Sequence, residues 1–156
     1  PEPVPSSLNE VMAHVIDYID KRTPKRIALK TQFPEEDIIL NLNASLFEWV
    51  VENLCKNAVD SMGGASGSIT IRLEEAGRRA VVEVSDTGRG IKKKDIRNVF
   101  RPGFTTKKRG WGLGLSLARR IVEEYHHGRI FVKSSEIGKG TTFRIELGKE
   151  QEMRHI

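Results

Sequence analysis

The segment from Ser68 to Asp86 constrains the fold of this chain more than any other. Its first run, "SITIRLEE", alternates polar residues with Ile69, Ile71 and Leu73, and "RRAVVEVSD" is a second strand-like run. Gly77 lies between the two runs, which predicts a β-hairpin. A strand with one apolar face must bury that face against another layer, so the hairpin calls for a covering element.

Other segments supply helices and further strands. A helix capped by Ser6 or Ser7 is predicted to stop before Pro24, because a residue before proline avoids the helical region. The other predicted helices are "ASLFEWVVENLCKNAVDSM", ended by Gly63, and a segment from about Leu113 to His127, closed by Gly128. The other predicted strands are "RIALKTQF", "DIILNLN", "RIFVKS" and "TTFRIEL".

This order of elements predicts an α/β fold, a two-layer sandwich with a mixed β-sheet and helices on one face. Strands outnumber helices and hairpins recur, which favours that arrangement. Residues 87–112 hold no long periodic segment, only a short helical possibility near Lys94 to Phe100, and are expected to form a functional loop or lid. A length of 156 residues suits one domain, which we place at residues 1–150, with a loose tail at 151–156.

Composition is typical of a globular protein, with 38% apolar and 30% charged residues. No run approaches the roughly 18 apolar residues of a membrane span, and "PEPVPSSLNE" lacks the regions of a signal peptide and is expected to begin an excised fragment. The single cysteine, Cys55, fits a reducing compartment. We therefore expect a cytoplasmic domain, with any membrane attachment made only by parts upstream of this chain.

The net charge of +5 is partly local, because eight basic residues lie between Lys92 and Arg109. Such a cluster fits a polyanionic ligand, although a solvated loop would carry the same charges. No aromatic platform or base-reading motif accompanies the cluster, so we expect no nucleic-acid partner.

Four motifs contain the candidate site residues, and each alone has an ordinary structural interpretation. Asn53, Asn57 and Asp60 share one stripe of a helix, where the asparagines bond to neighbouring backbone or Asn57 offers its carbonyl oxygen to Mg²⁺. Asp86 follows a strand in "VSDTGRGI", either as a plain turn or as an acceptor for an amino group such as that of adenine. "GWGLGL" opens a helix whose N–H groups could bind phosphate, and "GKGTTF" is a tight turn.

The ordered set is more specific than its members. "ENLCKNAVD", "DTGRGI", "FRPGFTTK", "GWGLGL" and "GKGTTF" resemble the N, G1, F, G2 and G3 boxes of the ATP-binding domain of bacterial sensor histidine kinases. That family belongs to the superfamily with the Bergerat fold, which includes DNA gyrase and heat-shock chaperone ATPases. The resemblance covers residues 8–148.

The resemblance implies a Mg-ATP site between the asparagine helix and a mobile lid. It implies that Asn57 ligates Mg²⁺ and is catalytic together with Lys107, which would approach the terminal phosphates, and that Asn53 supports the phosphate side. It implies that Asp86 reads the adenine amino group and that Thr141 reaches adenine through water. The other implied nucleotide-binding residues are Gly88, Gly90, Ile91, Gly110, Gly112, Leu113, Gly114 and Leu115.

The same resemblance indicates whether this chain is expected to transfer the phosphoryl group or to hydrolyse ATP. Hydrolysing branches place a water-activating Glu four residues before the Mg²⁺-ligating Asn; here that residue is Asn53, and Glu52 lies about 100° away around the helix. We therefore expect transfer of the γ-phosphoryl group to a histidine on a separate dimerisation and phosphoacceptor domain, expected to precede Pro1, and then to a response regulator. His14, His126, His127 and His155 all lack the acceptor context. The alternative is a regulatory or degenerate ATP-binding module without kinase activity.

Overall fold

The computed structural model describes residues 3–102 and 112–149, without the side chains at positions 112 and 113. In chain order the elements are β1 (Val4–Ser7), α1 (Leu8–Arg22), β2 (Ile27–Gln32), β3 (Ile39–Leu42), α2 (Ala44–Ser61), β4 (Gly67–Ala76), β5 (Arg79–Asp86), a 3₁₀ helix (Lys93–Asn98), α3 (Gly112–Arg120), a π-helical turn (Ile121–Tyr125), β6 (Arg129–Glu136) and β7 (Gly140–Gly148).

A five-stranded mixed sheet forms one layer, in the order β2-β4-β5-β7-β6. β2 runs parallel to β4, and the other neighbours are antiparallel. The predicted hairpin is present: β4 and β5 pair antiparallel, and Gly77 between them has a positive φ of 63°. Because alternate residues of a strand point to opposite faces, the sheet has one apolar face.

The three helices cover that apolar face. Ser7 caps α1 by accepting a hydrogen bond from the Glu10 N–H, and Asn43 caps α2 by accepting one from the Leu46 N–H. The core joins buried residues of all three helices to the inward residues of the sheet, among them Met12, Phe47, Leu54, Ala118, Ile69, Ile71, Val82, Val84, Phe143, Ile145 and Leu147. The prediction of helices on one face of a mixed sheet is confirmed.

The opposite face of the sheet is covered by its own ion pairs. Glu83 on β5 is only 5% exposed, and its carboxylate lies 2.8 Å from Arg144, 2.9 Å from Arg72 and 3.0 Å from Lys133. Burial alone would raise the pKa of Glu83, but the three cations outweigh it and lower the pKa to about 2. On this face, ion pairs between side chains of neighbouring strands bury Glu83, and no helix of the described residues packs there.

The structure departs from the sequence prediction in two places. β3 pairs with β1, a strand that the sequence did not predict, and together they form a separate two-stranded ladder. The helix predicted to reach His127 changes to π geometry at Ile121. The short helix expected near Lys94 to Phe100 is present as the 3₁₀ helix. Residues 103–111 of the predicted lid and the predicted tail, 151–156, lie outside the described residues.

Within residues 3–102 and 112–149, no helix has both the length and the apolar character needed to cross a membrane.

Candidate nucleotide site

The two asparagines of helix α2 differ in burial and in their contacts. Asn53 is 9% exposed, and its Nδ2 donates a hydrogen bond of 3.0 Å to the carbonyl of Trp49. That bond turns the Asn53 Oδ1 toward α3, where a Cβ at position 114 would lie only 2.6 Å from it. Asn57, one turn further along the helix, is half-buried. Asn53 is therefore fixed by its surroundings, whereas the Asn57 amide is partly accessible.

The start of α3 lies against α2. Helix α3 begins at Gly112, and Gly114 allows its backbone to approach Asn53 because any side chain at 114 would collide with Oδ1. Leu115 is buried and holds this first turn to the core. The first N–H groups of a helix have no partner within the helix and carry partial positive charge. The predicted phosphate-binding turn is therefore next to the asparagine helix.

Asp86 is the last residue of β5, the central strand of the sheet. Across the ladders it pairs with Ile69 of β4 and Thr141 of β7, so the G1 and G3 motifs meet at this position. The Gly88 N–H donates a hydrogen bond of 2.8 Å to Asp86 Oδ1. Burial raises the pKa of Asp86, while hydrogen bonds, including the one from Gly88, oppose the rise. A carboxylate in this position can accept a hydrogen bond from an amino group.

The turn after Asp86 is tied to the loop between β6 and β7. Gly90 has a φ of 80°, and a Cβ there would lie 2.3 Å from the carbonyl oxygen of Glu136, so no other residue fits without strain. The Ile91 N–H donates 2.8 Å to Ser135 Oγ, and Ser135 Oγ lies 2.8 Å from Thr141 Oγ1. Thr141 is 5% exposed, so its hydroxyl is buried and fixed by the contact with Ser135.

Ser135 and Ser61 are site residues that sequence reasoning missed. Ser135 joins the two glycine motifs, and Ser61 lies 3.3 Å from Asp86 Oδ1. Neither serine lies in a motif that predicts a ligand, and serines are common in strands and at helix ends. The pairing of Ser135 with Thr141 between β6 and β7 is the signal that would have pointed to Ser135, but that register is not visible in the sequence.

The structure places part of the predicted set together. Asn53, Gly114 and Leu115 meet between α2 and α3; Asp86, Gly88, Gly90, Ile91 and Thr141 meet at the ends of β5 and β7. Gly112 and Leu113 belong to the first turn of α3, although their side chains are outside the described residues. Lys107 and Gly110 also lie outside the described residues.

Among the described residues, no three His, Cys, Asp or Glu side chains are grouped as metal ligands. A Mg²⁺ ion at this site would therefore take few protein ligands and complete its shell with phosphate oxygens and water, which is the ordinary behaviour of Mg²⁺ with nucleotides. The half-buried amide of Asn57 offers the oxygen donor that this hard ion prefers. The residues present fit that role.

A separate cavity of about 260 Å³ lies between α1 and α2. Glu52, Cys55, Lys56 and Asp60 line it from α2, so Glu52 is directed to this cavity. Burial raises the pKa of the Cys55 thiol to about 12, with Glu52 adding to the rise, which leaves Cys55 unreactive at neutral pH. Glu52, the carboxylate next to Asn53 in sequence, is thus turned to a different face of α2 from Asn53.

Comparison with known proteins agrees with this geometry. Residues 43–151 match the family described as histidine kinase-, DNA gyrase B- and HSP90-like ATPases. The chain is 34% identical over 144 residues to the sensor histidine kinase ZraS of Salmonella typhi, covering 90% of this chain and 30% of that protein. It is 31% identical over 142 residues to sporulation kinase C of Bacillus subtilis, covering 90% of this chain and 32% of that protein.

Two solved structures of the histidine kinase ThkA resemble this one. The catalytic domain of histidine kinase ThkA, in a nucleotide-free form, superposes with a TM-score of 0.84 at 31% identity, covering 96% of this chain and 97% of that one. ThkA in complex with the response regulator TrrA superposes with a TM-score of 0.82 at 28% identity, covering 96% of this chain and 42% of that one.

The fold and the site define an ATP-binding catalytic domain of the histidine-kinase type. The chain belongs to the histidine kinase-, DNA gyrase B- and HSP90-like ATPase family. It spans about a third of the length of the curated relatives described above.

Proposed function

We propose that this chain binds Mg-ATP and transfers the γ-phosphoryl group to a histidine on a separate dimerisation and phosphoacceptor domain of the same kinase. A response regulator then takes the phosphoryl group from that histidine. The observation that carries the proposal is the contact between Asn53 and Gly114, which puts the Asn53 amide beside the first turn of α3.

In this mechanism the base and the phosphates are bound by different parts of the site. Asp86 accepts a hydrogen bond from the exocyclic amino group of adenine, and Thr141 reaches the ring through water. The N–H groups at the start of α3, from Gly112 to Leu115, receive the phosphate oxygens, with Gly110 and Lys107 contributing from the preceding loop. Asn57 would hold Mg²⁺ through its side-chain oxygen, and Mg²⁺ when bound neutralises charge on the phosphates.

Transfer then depends on position and electrostatics. The bond from the β–γ bridging oxygen to the γ-phosphorus breaks as a bond to the acceptor imidazole nitrogen forms, and ADP leaves with the negative charge. Lys107 and the α3 N–H groups stabilise the charge that develops on the phosphoryl oxygens. The proton of the acceptor histidine passes to a base on the phosphoacceptor domain.

Slow hydrolysis is the second part of the proposal. Asn53 cannot act as a general base, because an amide does not take up a proton near neutral pH, and its Nδ2 is already engaged by Trp49. Glu52, the neighbouring carboxylate, lines the cavity between α1 and α2. Asp60 lines the same cavity, so neither of these two carboxylates of α2 lies beside Asn53 to activate water at the γ-phosphate.

The test is phosphoryl transfer in trans. The chain is mixed with γ-labelled ATP, Mg²⁺ and the proposed phosphoacceptor domain of the same kinase, and acid-labile phosphate on that domain is measured. Label on the acceptor histidine is expected. Tight Mg-ATP binding with no transfer to that domain would instead identify a regulatory ATP-binding module.

A further inference from the structure

Helix α2 ends on Ser61, and this residue contacts the turn that follows β5 with both its side chain and its backbone. Ser61 Oγ lies 2.8 Å from the Ala58 carbonyl oxygen and 3.3 Å from Asp86 Oδ1. The Arg89 N–H donates a hydrogen bond of 3.0 Å to the Ser61 carbonyl. The end of the asparagine helix is thus joined to the G1 turn at two points.

The fit around the hydroxyl is close. A Cβ at position 88 would lie 1.9 Å from Ser61 Oγ, so Gly88 leaves the hydroxyl only the space that it fills. Gly88 and Ser61 approach the same carboxylate oxygen, because the Gly88 N–H donates 2.8 Å to Asp86 Oδ1. The single hydroxyl hydrogen of Ser61 is shared between the Ala58 carbonyl and Asp86 Oδ1, so Ser61 is the weaker of two donors to this oxygen and the Gly88 N–H is the stronger. Both donors restrict the rotation of the carboxylate and favour its ionised form.

Ionisation decides which base a carboxyl group can read. A carboxylate only accepts hydrogen bonds, so it can accept one from the 6-amino group of adenine. It cannot form one with the 6-oxo group of guanine, because that oxygen is also an acceptor. A protonated carboxyl can donate and would lose that discrimination. The charged group that acts on Asp86 is Arg89, while its contacts from α2 and β7, Ser61 and Thr141, do not titrate. The Ser61 hydroxyl is therefore a donor that the helix supplies to the carboxylate.

We propose that Ser61 is a positioning residue for base specificity: its hydroxyl holds the Asp86 carboxylate in the orientation and charge state that select 6-aminopurine over 6-oxopurine nucleotides. The inference rests on the proposed role of Asp86 as the adenine acceptor. It assigns a function to a serine that lies outside the motifs and that the proposed mechanism does not use.

The experiment compares the binding of ATP and GTP by calorimetry in Ser61→Ala, Ser61→Thr and Ser45→Ala, each with Mg²⁺. Ser61→Ala is expected to reduce the ratio of ATP to GTP affinity by about fivefold, the size of one ordinary net hydrogen bond, because the hydroxyl hydrogen is shared with the Ala58 carbonyl. Ser61→Thr keeps the hydroxyl and should keep most of the preference. Ser45 is an exposed serine in the first turn of the same helix, so Ser45→Ala is the matched control and should equal the parent.

A second readout separates a positioning role from a general loss of stability. The pKa of Asp86, followed by NMR of its labelled carboxyl carbon, is expected to rise in Ser61→Ala, and the ATP preference should be lost at a higher pH than in the parent. Because both nucleotides are measured on the same variant, a partly unfolded fraction lowers both affinities and leaves their ratio unchanged. An unchanged ratio together with an unchanged Asp86 pKa overturns the proposal.

Asp86→Asn distinguishes failure of this proposal from failure of the site. If Asp86→Asn keeps the parental preference for ATP over GTP, Asp86 does not recognise the base, and the proposed adenine site is wrong. If Asp86→Asn loses the preference and Ser61→Ala keeps it, only the role of Ser61 is wrong. In the double variant, Ser61→Ala should add nothing to Asp86→Asn, and an additive loss would contradict action through Asp86.

Discussion

At the scale of residues, two asparagines one turn apart on α2 lie in different surroundings. Asn53 is buried, bonded to Trp49 and in contact with the start of α3. Asn57 is half-buried and is the oxygen donor that we assign to Mg²⁺. The sequence predicts both residues from helical spacing, but it cannot tell which of them is held by neighbouring backbone.

Replacement of Asn57 by Ala is expected to lower the affinity for Mg-ATP by about 100-fold while the fold stays intact. The reason is that loss of a partner behind a metal ligand already costs about 10- to 100-fold, and Asn57 is assigned as the ligand itself. Titration calorimetry with and without Mg²⁺ measures the change. Lys56→Ala, an exposed neighbour on the same helix, is the control and should bind like the parent. Equal affinity of Asn57→Ala and the parent in both conditions would remove Asn57 from the metal site.

Glu83 gives a residue-scale prediction about stability. Glu83→Gln leaves Arg72, Lys133 and Arg144 together without their shared anion, and breaking a buried ion pair costs about 3 kcal/mol or more. Denaturant unfolding at neutral pH should show a loss of that size. Glu136→Gln, which removes an exposed partner of Lys139, should change the free energy of unfolding by less than about 0.5 kcal/mol.

The pH dependence of the Glu83 contribution follows from the sign of its shift. Its pKa in the folded protein, about 2, is below the ordinary value of 4.5, so the unfolded chain binds a proton first as the pH falls. The stabilisation is complete above pH 4.5, decreases below it and is lost below about pH 2. Glu83→Gln should therefore remove part of the acid sensitivity between those two values, and a parental slope there would contradict the assignment.

At the scale of elements, the helices and the sheet are predictable from periodicity, whereas strand β1 and the π-helical turn are not. Strand β1 is missed because Val4–Ser7 contains a proline and too few residues to show alternation; its pairing with β3 defines it. The π turn at Ile121–Tyr125 is missed because its sequence is helical in period. Both features depend on contacts made far along the chain, which local propensity does not encode.

His126 explains the π turn. Its ring is fully buried, Nδ1–H donates 3.0 Å to the Ile121 carbonyl, and Nε2 accepts 3.0 Å from the Asn43 N–H at the start of α2. The ring edge also packs on Phe47, with centroids 5.8 Å apart. The imidazole therefore ties the end of the α3 segment to the cap of α2, while Gly114 and Asn53 meet at the other end of the same helix pair.

His126→Leu is expected to destabilise the domain by about 2–4 kcal/mol, because the substitution removes the ring's bonds to Asn43 and Ile121 in a buried place. Thermal unfolding at pH 8 measures the loss. His14→Ala serves as the control, since His14 is 75% exposed and pairs with Glu48 at the surface.

The pH response of His126 has a defined direction. Burial lowers the pKa of His126 below 6.5, so the unfolded chain takes up the proton first and stability falls as the pH drops below 6.5. His126→Leu should lose that decline, because no group remains to titrate at this position. A variant that keeps the full decline between pH 7 and pH 5 would show that another group is responsible.

At the scale of the whole molecule, the sheet and the helices deliver the two halves of the site from different directions. The ends of β5 and β7 bring Asp86 to Thr141, and the packing of α2 on α3 brings Asn53 to Gly114. The sequence predicts both halves as ordered motifs, but their junctions through Ser61 and Ser135 come from tertiary contacts. A site divided in this way depends on the whole core, since neither half is formed by one element.

The distribution of histidines in the folded chain leads to the last prediction: the isolated chain binds ATP but does not phosphorylate itself. His126 has no exposed surface, and its ring nitrogens are engaged by Ile121 and Asn43. His14 lies on α1 and pairs with Glu48, outside the two clusters that form the site. Incubation with γ-labelled ATP and Mg²⁺, followed by gel analysis under alkaline conditions, should show no acid-labile label on this chain. With the proposed phosphoacceptor domain added, label should appear on that domain alone. Stable label on His14, His126 or His127 would mean that the acceptor lies within this chain, and the division of labour between two domains would be wrong.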